Sequence, residues 1–316
     1  MPTHQPKYRT FAQAAPLPLF AQPWWLDIVC PQGWEAAITE KGGTITGIWP
    51  YASQKKFGVS FLRTPVLTPY AGPVVFFPDD LKESNRDGFE HDVLSQLLPQ
   101  LPQADVWHLS MPPGLKQAGL FASYGLSISA RQTFLLDLSL PEEVLFQQFK
   151  ESLRRSIRQA QHHYIISDEP ALLPQLHQFH KNTLKGKNAS QLHNEKMLEQ
   201  LMRAAVEKKQ SRLYAAHDLK GELQALLWNA WDGERSYYLM GARSPESESH
   251  RAMSLLLWQA IQDAQARGNL YFDFEGSMDP GVERFFRKFG ARRELYLVLK
   301  KEDSWLWRLK VRAGKR

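Results

Sequence analysis

Two rhythms of apolar and polar residues run along this chain. Period-two alternation in "AAITEKGGTITGIW" (36–49), broken by a Lys-Gly-Gly turn, predicts a β-hairpin over 35–51. The same rhythm recurs in "AAHDLKGELQALLW" (215–228), predicting strands over 211–219 and 222–231. Helical spacing dominates "HRAMSLLLWQAIQDAQARG", which closes at Gly268, the residue type that most readily ends a helix. In the first half the pattern predicts a helix at 24–30, strands at 35–51 and 58–77, a helix at 88–98, a strand at 105–110, a helix at 114–123 and a strand at 127–138. The second half opens with one long helix, "PEEVLFQQFKESLRRSIRQAQHH", whose Pro141 and following acidic pair suit a helix start. A strand at 164–168, helices at 171–184 and 193–209, three strands to 242, the Gly268 helix, a strand at 270–275, a short helix and a strand at 292–300 complete it.

The two halves echo each other. At an offset of 179 residues, Ala36, Ala37, Lys41, Gly42 and Trp49 match Ala215, Ala216, Lys220, Gly221 and Trp228 without a gap. Farther on, "WHLSMPPG" (107–114) parallels "FEGSMDPG" (274–281), and each precedes a short helix, a Gly and a strand. Repeated order of elements, more than the identities, predicts a duplicated α/β fold with mixed sheets and domains over 1–138 and 139–300.

Composition narrows the class. A chain of 316 residues with 43% hydrophobic and 12% aromatic content can fill two cores. A single cysteine, Cys30, rules out an intramolecular disulfide and a cysteine-cage metal site. No apolar stretch approaches the ~20 residues of a membrane span, and prolines interrupt the N-terminal segment where a signal peptide needs continuity. The expectation is a cytoplasmic protein. Seven Lys/Arg against Glu302 and Asp303 between Lys300 and Arg316 hold five of the six net positive charges. In "DSWLWRLKVRAGKR" these cations alternate with Trp305, Trp307, Leu309 and Val311. The segment reads either as a closing element that buries its tryptophans or as a peripheral contact with anionic lipid or RNA.

Several segments carry a family resemblance. "YFDFEGSMDP…FFRKFGA", "RRSIRQA" (154–160) and "LTPYAGPVVFFP" (67–78) resemble the FemABX-related branch of the GNAT acyltransferase superfamily. The resemblance implies two tandem GNAT-like, acyl-CoA N-acyltransferase-fold domains, with the tail 301–316 packing back on the first. It also implies an N-acyl or aminoacyl transferase that forms an amide on an amine of a cell-envelope (muropeptide-like) precursor or related metabolite. The donor would be aminoacyl-tRNA or acyl-CoA, with no tightly bound cofactor and no metal. Two departures stand out. "QPWWLDIVC" offers Asp27 where these enzymes commonly carry a substrate-binding lysine, and Phe286 stands where a lysine usually precedes the final Phe-Gly. The loop "GARSPESESHRAM" also lacks a glycine-rich phosphate turn and carries Glu246 and Glu248. An acyl-CoA-dependent enzyme and a non-catalytic GNAT scaffold are the alternatives.

Candidate chemistry concentrates at one strand end. Asp273 and Glu275 share a strand face by period two, at the end of a strand where an α/β fold opens its cleft. They are candidates to deprotonate or hold an incoming ammonium; pairing with Arg284 or Arg287 is the competing reading. Asp279 reads as a turn and helix cap. Arg154 and Arg158 share a helix face, and Arg155 and Arg158 are candidate phosphate ligands against a solvated face paired with Glu151. Tyr70 and Gly72, in "TPYAGP", are candidate cleft residues. Trp228, Tyr238, Ser277, Arg284, Arg287 and Lys288 are the remaining substrate-contact candidates.

Overall fold

A computed structural model describes residues 4–186, 194–247, 250–276 and 280–303. The chain divides into two compact units, Met1–Arg131 with Leu295–Arg316, and Gln132–Glu294. Of the tail expected to pack on the first domain, residues 304–316 lie outside the described residues, as do Ser277 and Asp279.

In the first unit, helices α1 (Gln5–Phe11) and α2 (Pro23–Val29) precede strands β1 (Glu35–Lys41), β2 (Thr44–Tyr51), β3 (Ser53–Lys56), β4 (Val59–Arg63) and β5 (Val74–Val75). Helix α3 (Glu83–Leu97), strand β6 (Val106–Ser110) and helix α4 (Ala118–Ser123) follow. One sheet has the order β1–β2–β5. In the other, β3 pairs antiparallel with β4 and β4 parallel with β6. The predicted strand over 58–77 is therefore two short strands in different sheets, separated by the Pro-rich segment that carries Tyr70 and Gly72. Trp49, Leu62, Leu94, Leu97, Phe121 and Leu299 are fully buried in its core. Each such side chain contributes about 1.5–3 kcal/mol on leaving water.

The second unit begins in strand β7 (Ser127–Asp137) and continues through helices α5 (Glu142–Gln148) and α6 (Glu151–Gln161), strand β8 (Tyr164–Asp168), and helices α7 (Leu173–Gly186) and α8 (Glu195–Glu207). Strands β9 (Ser211–Asp218), β10 (Leu223–Trp231) and β11 (Arg235–Arg243), helix α9 (Arg251–Ala266), strand β12 (Tyr271–Asp273) and helix α10 (Pro280–Phe286) complete it. Its sheet runs β7–β12–β11–β10–β9–β8. Strand β13 (Arg292–Glu302) then returns to the first unit, pairing antiparallel with β6 from Val298↔Ser110 to Glu302↔Val106. Helix α9 buries ten of its residues against this sheet, as its nearly all-round apolar sequence requires.

The long helix predicted from Pro141 to His163 is two helices. Phe149 and Lys150 are extended, at ψ 147 and 139. The break turns Phe149 into the core, where its ring meets Trp258 and Phe289. It also lets the Lys150 N–H bond to the Lys288 carbonyl at 2.9 Å, and α6 thereby gains an amino end of its own.

Both hairpins form, but the gapless repeat does not carry over their register. Trp49 faces Ala37, whereas Trp228 faces Leu213, because the second turn is longer.

Candidate active site

Strand β12 is the hinge of the site. It pairs with β7 on one side and, in parallel, with β11 on the other, from Arg235↔Tyr271 to Tyr237↔Asp273. There β12 stops while β11 runs on to Arg243, so the two strands part company beyond Tyr237 and Asp273. The expected strand 270–275 is thus shorter, and the period-two face shared by Asp273 and Glu275 does not form. Glu275 instead adopts a left-handed backbone (φ 52), and Gly276 follows at φ 29.

The two carboxyls come together by another route. Asp273 is fully buried and accepts hydrogen bonds from the Thr133 hydroxyl at 2.5 Å and the Glu275 N–H at 2.9 Å. Its cation is Arg235, at 3.6 Å, not Arg284 or Arg287 as the sequence had offered. Arg287 pairs with Glu283 at 3.7 Å. Asp273 is therefore an anchor that holds the turn into Glu275. Replacing it with Asn should cost about 1–3 kcal/mol, because a buried charge pair loses one member. Urea denaturation of Asp273→Asn measures this, and an unchanged midpoint would remove the anchoring role.

Glu275 is different in kind. Its Oε1 is shut off from solvent and has no hydrogen-bond partner among the described residues. Burial, reinforced by the Asp273 charge, raises its pKa well above the usual carboxylate range. Tyr238, on β11 just past the last pair with β12, feels the Glu275 charge, and burial together with that charge raises its phenol pKa. The Tyr238 ring packs edge-on against Phe286, and Phe286 lies 4.9 Å from Phe274. The site thus pairs a buried acid with a phenol on a bed of aromatic rings.

A cavity of about 300 Å³ opens near the amino ends of α6 and α9. Ser152 and Ser156 come from α6, His250 and Ser254 from the start of α9, and Arg284 and Lys288 from α10 and the turn after it. Burial first, then the Arg243 and Lys288 charges, depress the His250 pKa. Cations, hydroxyls and the amino ends of two helices together suit an oxyanion. His250, at the helix start after the 243–251 loop, is an anion-holding candidate from the sequence and does line the cavity, whereas Ser152, Ser156 and Ser254 carry no motif and are brought there by helix ends, the break at Lys150 supplying the one for α6.

Other expected contacts fall elsewhere. Arg155 is exposed and bonds Glu151 at 2.9 Å, and Arg158 lies over the Phe146 ring. Neither lines the cavity. Trp228, expected to touch substrate, is fully buried and its indole N–H bonds the Ser211 hydroxyl at 2.8 Å; it is a core residue. Tyr70 is buried in the first unit, edge-on to Tyr296. Gly72 is there too, close enough to Pro112 that a Cβ would lie 2.6 Å from its Cδ. Glu246 accepts a hydrogen bond from the Ser244 hydroxyl and is absent from the cavity lining. Glu248 lies outside the described residues. Burial pushes the Cys30 thiol up to about 12, a poor nucleophile.

Comparison with known proteins agrees with this architecture. Residues 147–287 match the Acetyltransferase (GNAT) domain family. FemX superposes with a TM-score of 0.68 at 13% identity, over 94% of this chain and 96% of that one. A conserved protein of unknown function from Bacteroides thetaiotaomicron gives 0.53 at 11% identity, covering 94% and 97%. L-PGS from Bacillus licheniformis gives 0.50 at 11% identity, covering 88% and 87%. No curated protein matches. Residues 147–287 thus match the GNAT acetyltransferase domain family, and the chain as a whole shares the fold of FemX.

Proposed function

We propose that this GNAT chain is an N-acyl or aminoacyl transferase that builds an amide on an amine of a cell-envelope precursor or related metabolite. The observation that carries the reading is Glu275, a buried carboxyl with one oxygen unpartnered among the described residues, where β11 and β12 separate. An amine attacks only after losing a proton from its ammonium form. Glu275, once ionised, accepts that proton through Oε1 as the nitrogen bonds to the donor's carbonyl carbon. The donor's oxygen or sulfur leaves with the electron pair of the broken acyl bond. No covalent enzyme intermediate is required; positioning and electrostatics supply the acceleration. Tyr238 is suited to protonate the leaving atom. In this reading the donor's phosphate occupies the cavity of Ser152, Ser156, His250, Ser254, Arg284 and Lys288.

An acyl-CoA donor is the second reading, favoured by the cavity's position at the start of α9 and by the absence of Glu246 from its lining. Calorimetric titration with acetyl-CoA and with an aminoacyl-tRNA mimic over a salt series separates the two. A polyanionic RNA donor weakens steeply with salt, and a coenzyme responds far less. With whichever donor binds, Arg284→Gln/Lys288→Gln should reduce affinity by about 30-fold or more, since two charge-assisted contacts contribute at least about 1 kcal/mol each. Unchanged affinity would exclude the cavity as the phosphate site. Absence of binding by both donors, with no turnover, would leave the scaffold reading.

A further inference from the structure

The first unit carries a row of basic residues that the transfer chemistry does not use. Arg63 on β4 lies opposite His108 on β6, and His108 lies opposite Lys300 on β13. Residues paired directly across a ladder stand on the same face about 5 Å apart, so the three form a line across the sheet. All three are exposed, and alternation sets them on the face opposite Leu62, Leu109 and Leu299, which point into the core. Arg131 also bears electrostatically on His108. The carboxylate that bears on it is Glu302, two residues beyond Lys300.

Beneath the row is an apolar floor. Val59, Phe61 and Val106 form a small buried cluster. The Arg63 guanidinium lies over the Phe61 ring, 4.3 Å from its centroid, and burial lowers the Arg63 pKa. A guanidinium held on an aromatic face and partly stripped of water is prepared to form paired hydrogen bonds with an oxyanion.

We propose that Arg63, His108 and Lys300 form a binding site for a diphosphate or for two neighbouring phosphate groups. The line spans about 10 Å at strand spacing, which matches two phosphates but exceeds one. Binding takes up a proton. Burial, then the charges of Lys300, Arg131 and Arg63, depress the His108 pKa, while Glu302 opposes them. A bound anion reverses that balance, so His108 becomes charged on binding and affinity is higher at lower pH.

The test uses the full chain carrying Arg284→Gln/Lys288→Gln, so that the second unit's cavity contributes nothing. Inorganic pyrophosphate is titrated calorimetrically at about pH 6 and about pH 8. Adding Arg63→Gln/Lys300→Gln should lower affinity by about tenfold or more, with thermal melts confirming that these exposed substitutions keep the fold. His108→Gln should flatten the pH dependence relative to the parent. Sedimentation with phosphatidylglycerol against phosphatidylcholine vesicles identifies the source. Retention on the anionic vesicles that depends on Arg63 and Lys300 assigns the phosphates to lipid headgroups. Pyrophosphate binding without retention assigns a soluble diphosphate. Binding that ignores Arg63→Gln/Lys300→Gln, or no binding of either probe, overturns the proposal.

Discussion

Glu275→Gln is expected to lower turnover by about 10²–10⁴-fold, the range a positioned general base contributes, while making the protein more stable at neutral pH. The two effects share one cause. Burial and the Asp273 charge raise the folded-state pKa of Glu275. The stability contributed by its protonated form is fully present below the unfolded carboxyl pKa, and it is lost as pH climbs from there through the raised folded value. At neutral pH the wild-type chain therefore carries an unfavourable ionisation that glutamine removes. Melting curves should show the variant gaining on wild type between about pH 4 and pH 8, while a single-turnover transfer assay shows the loss of activity. Wild-type turnover should rise with pH through the same window, because only ionised Glu275 accepts a proton. Full activity in Glu275→Gln would end the general-base role. Equal melting temperatures across the window would show that the carboxyl is not desolvated.

Gly276→Ala is the second large effect. At φ 29, a Cβ on residue 276 would lie 2.5 Å from the Thr133 Cα and collide with the Gln132 carbonyl. Both obstacles are backbone of β7, so no side-chain rotation relieves them. Overpacking and left-handed strain together should cost about 2–4 kcal/mol, read as a shift in the urea midpoint. Gly268→Ala is the control. Its φ is 82, but nothing lies within 4 Å of the added methyl, so strain alone should cost about 1–2 kcal/mol. If the two substitutions cost the same, the close approach of residue 276 to β7 is not tight. Activity should fall further at Gly276 than stability explains, because the collision moves Glu275.

Much of this architecture is legible from periodicity, and the gaps have physical causes. Both hairpins and helix α9 announce themselves because their apolar positions repeat over many residues. The break at Phe149 and Lys150 does not. Phe149 fits a helical period equally well, and only its aromatic neighbours decide otherwise. Asp273 and Glu275 drew attention as acids near a strand end, but their unequal roles depend on Thr133, 140 residues away, and on Arg235. Trp228 looked equally suited to substrate or core, and Ser211 supplies the hydrogen bond that lets it be core. The serines of the cavity carry no chemical signature in sequence; helix ends give them one.

Strand β13 sets an order of events during synthesis. The β6 edge that receives it is translated early, yet its partner residues Val298–Glu302 emerge only after nearly the whole second unit has been made. At about 5–20 residues per second, that edge waits on the order of ten seconds or longer on the ribosome. The second unit's segment, Gln132–Glu294, is uninterrupted and can close as soon as it emerges. The half translated first is therefore the half completed last, and a chain that stalls before Val298 leaves its earliest sheet open to pairing with other nascent chains.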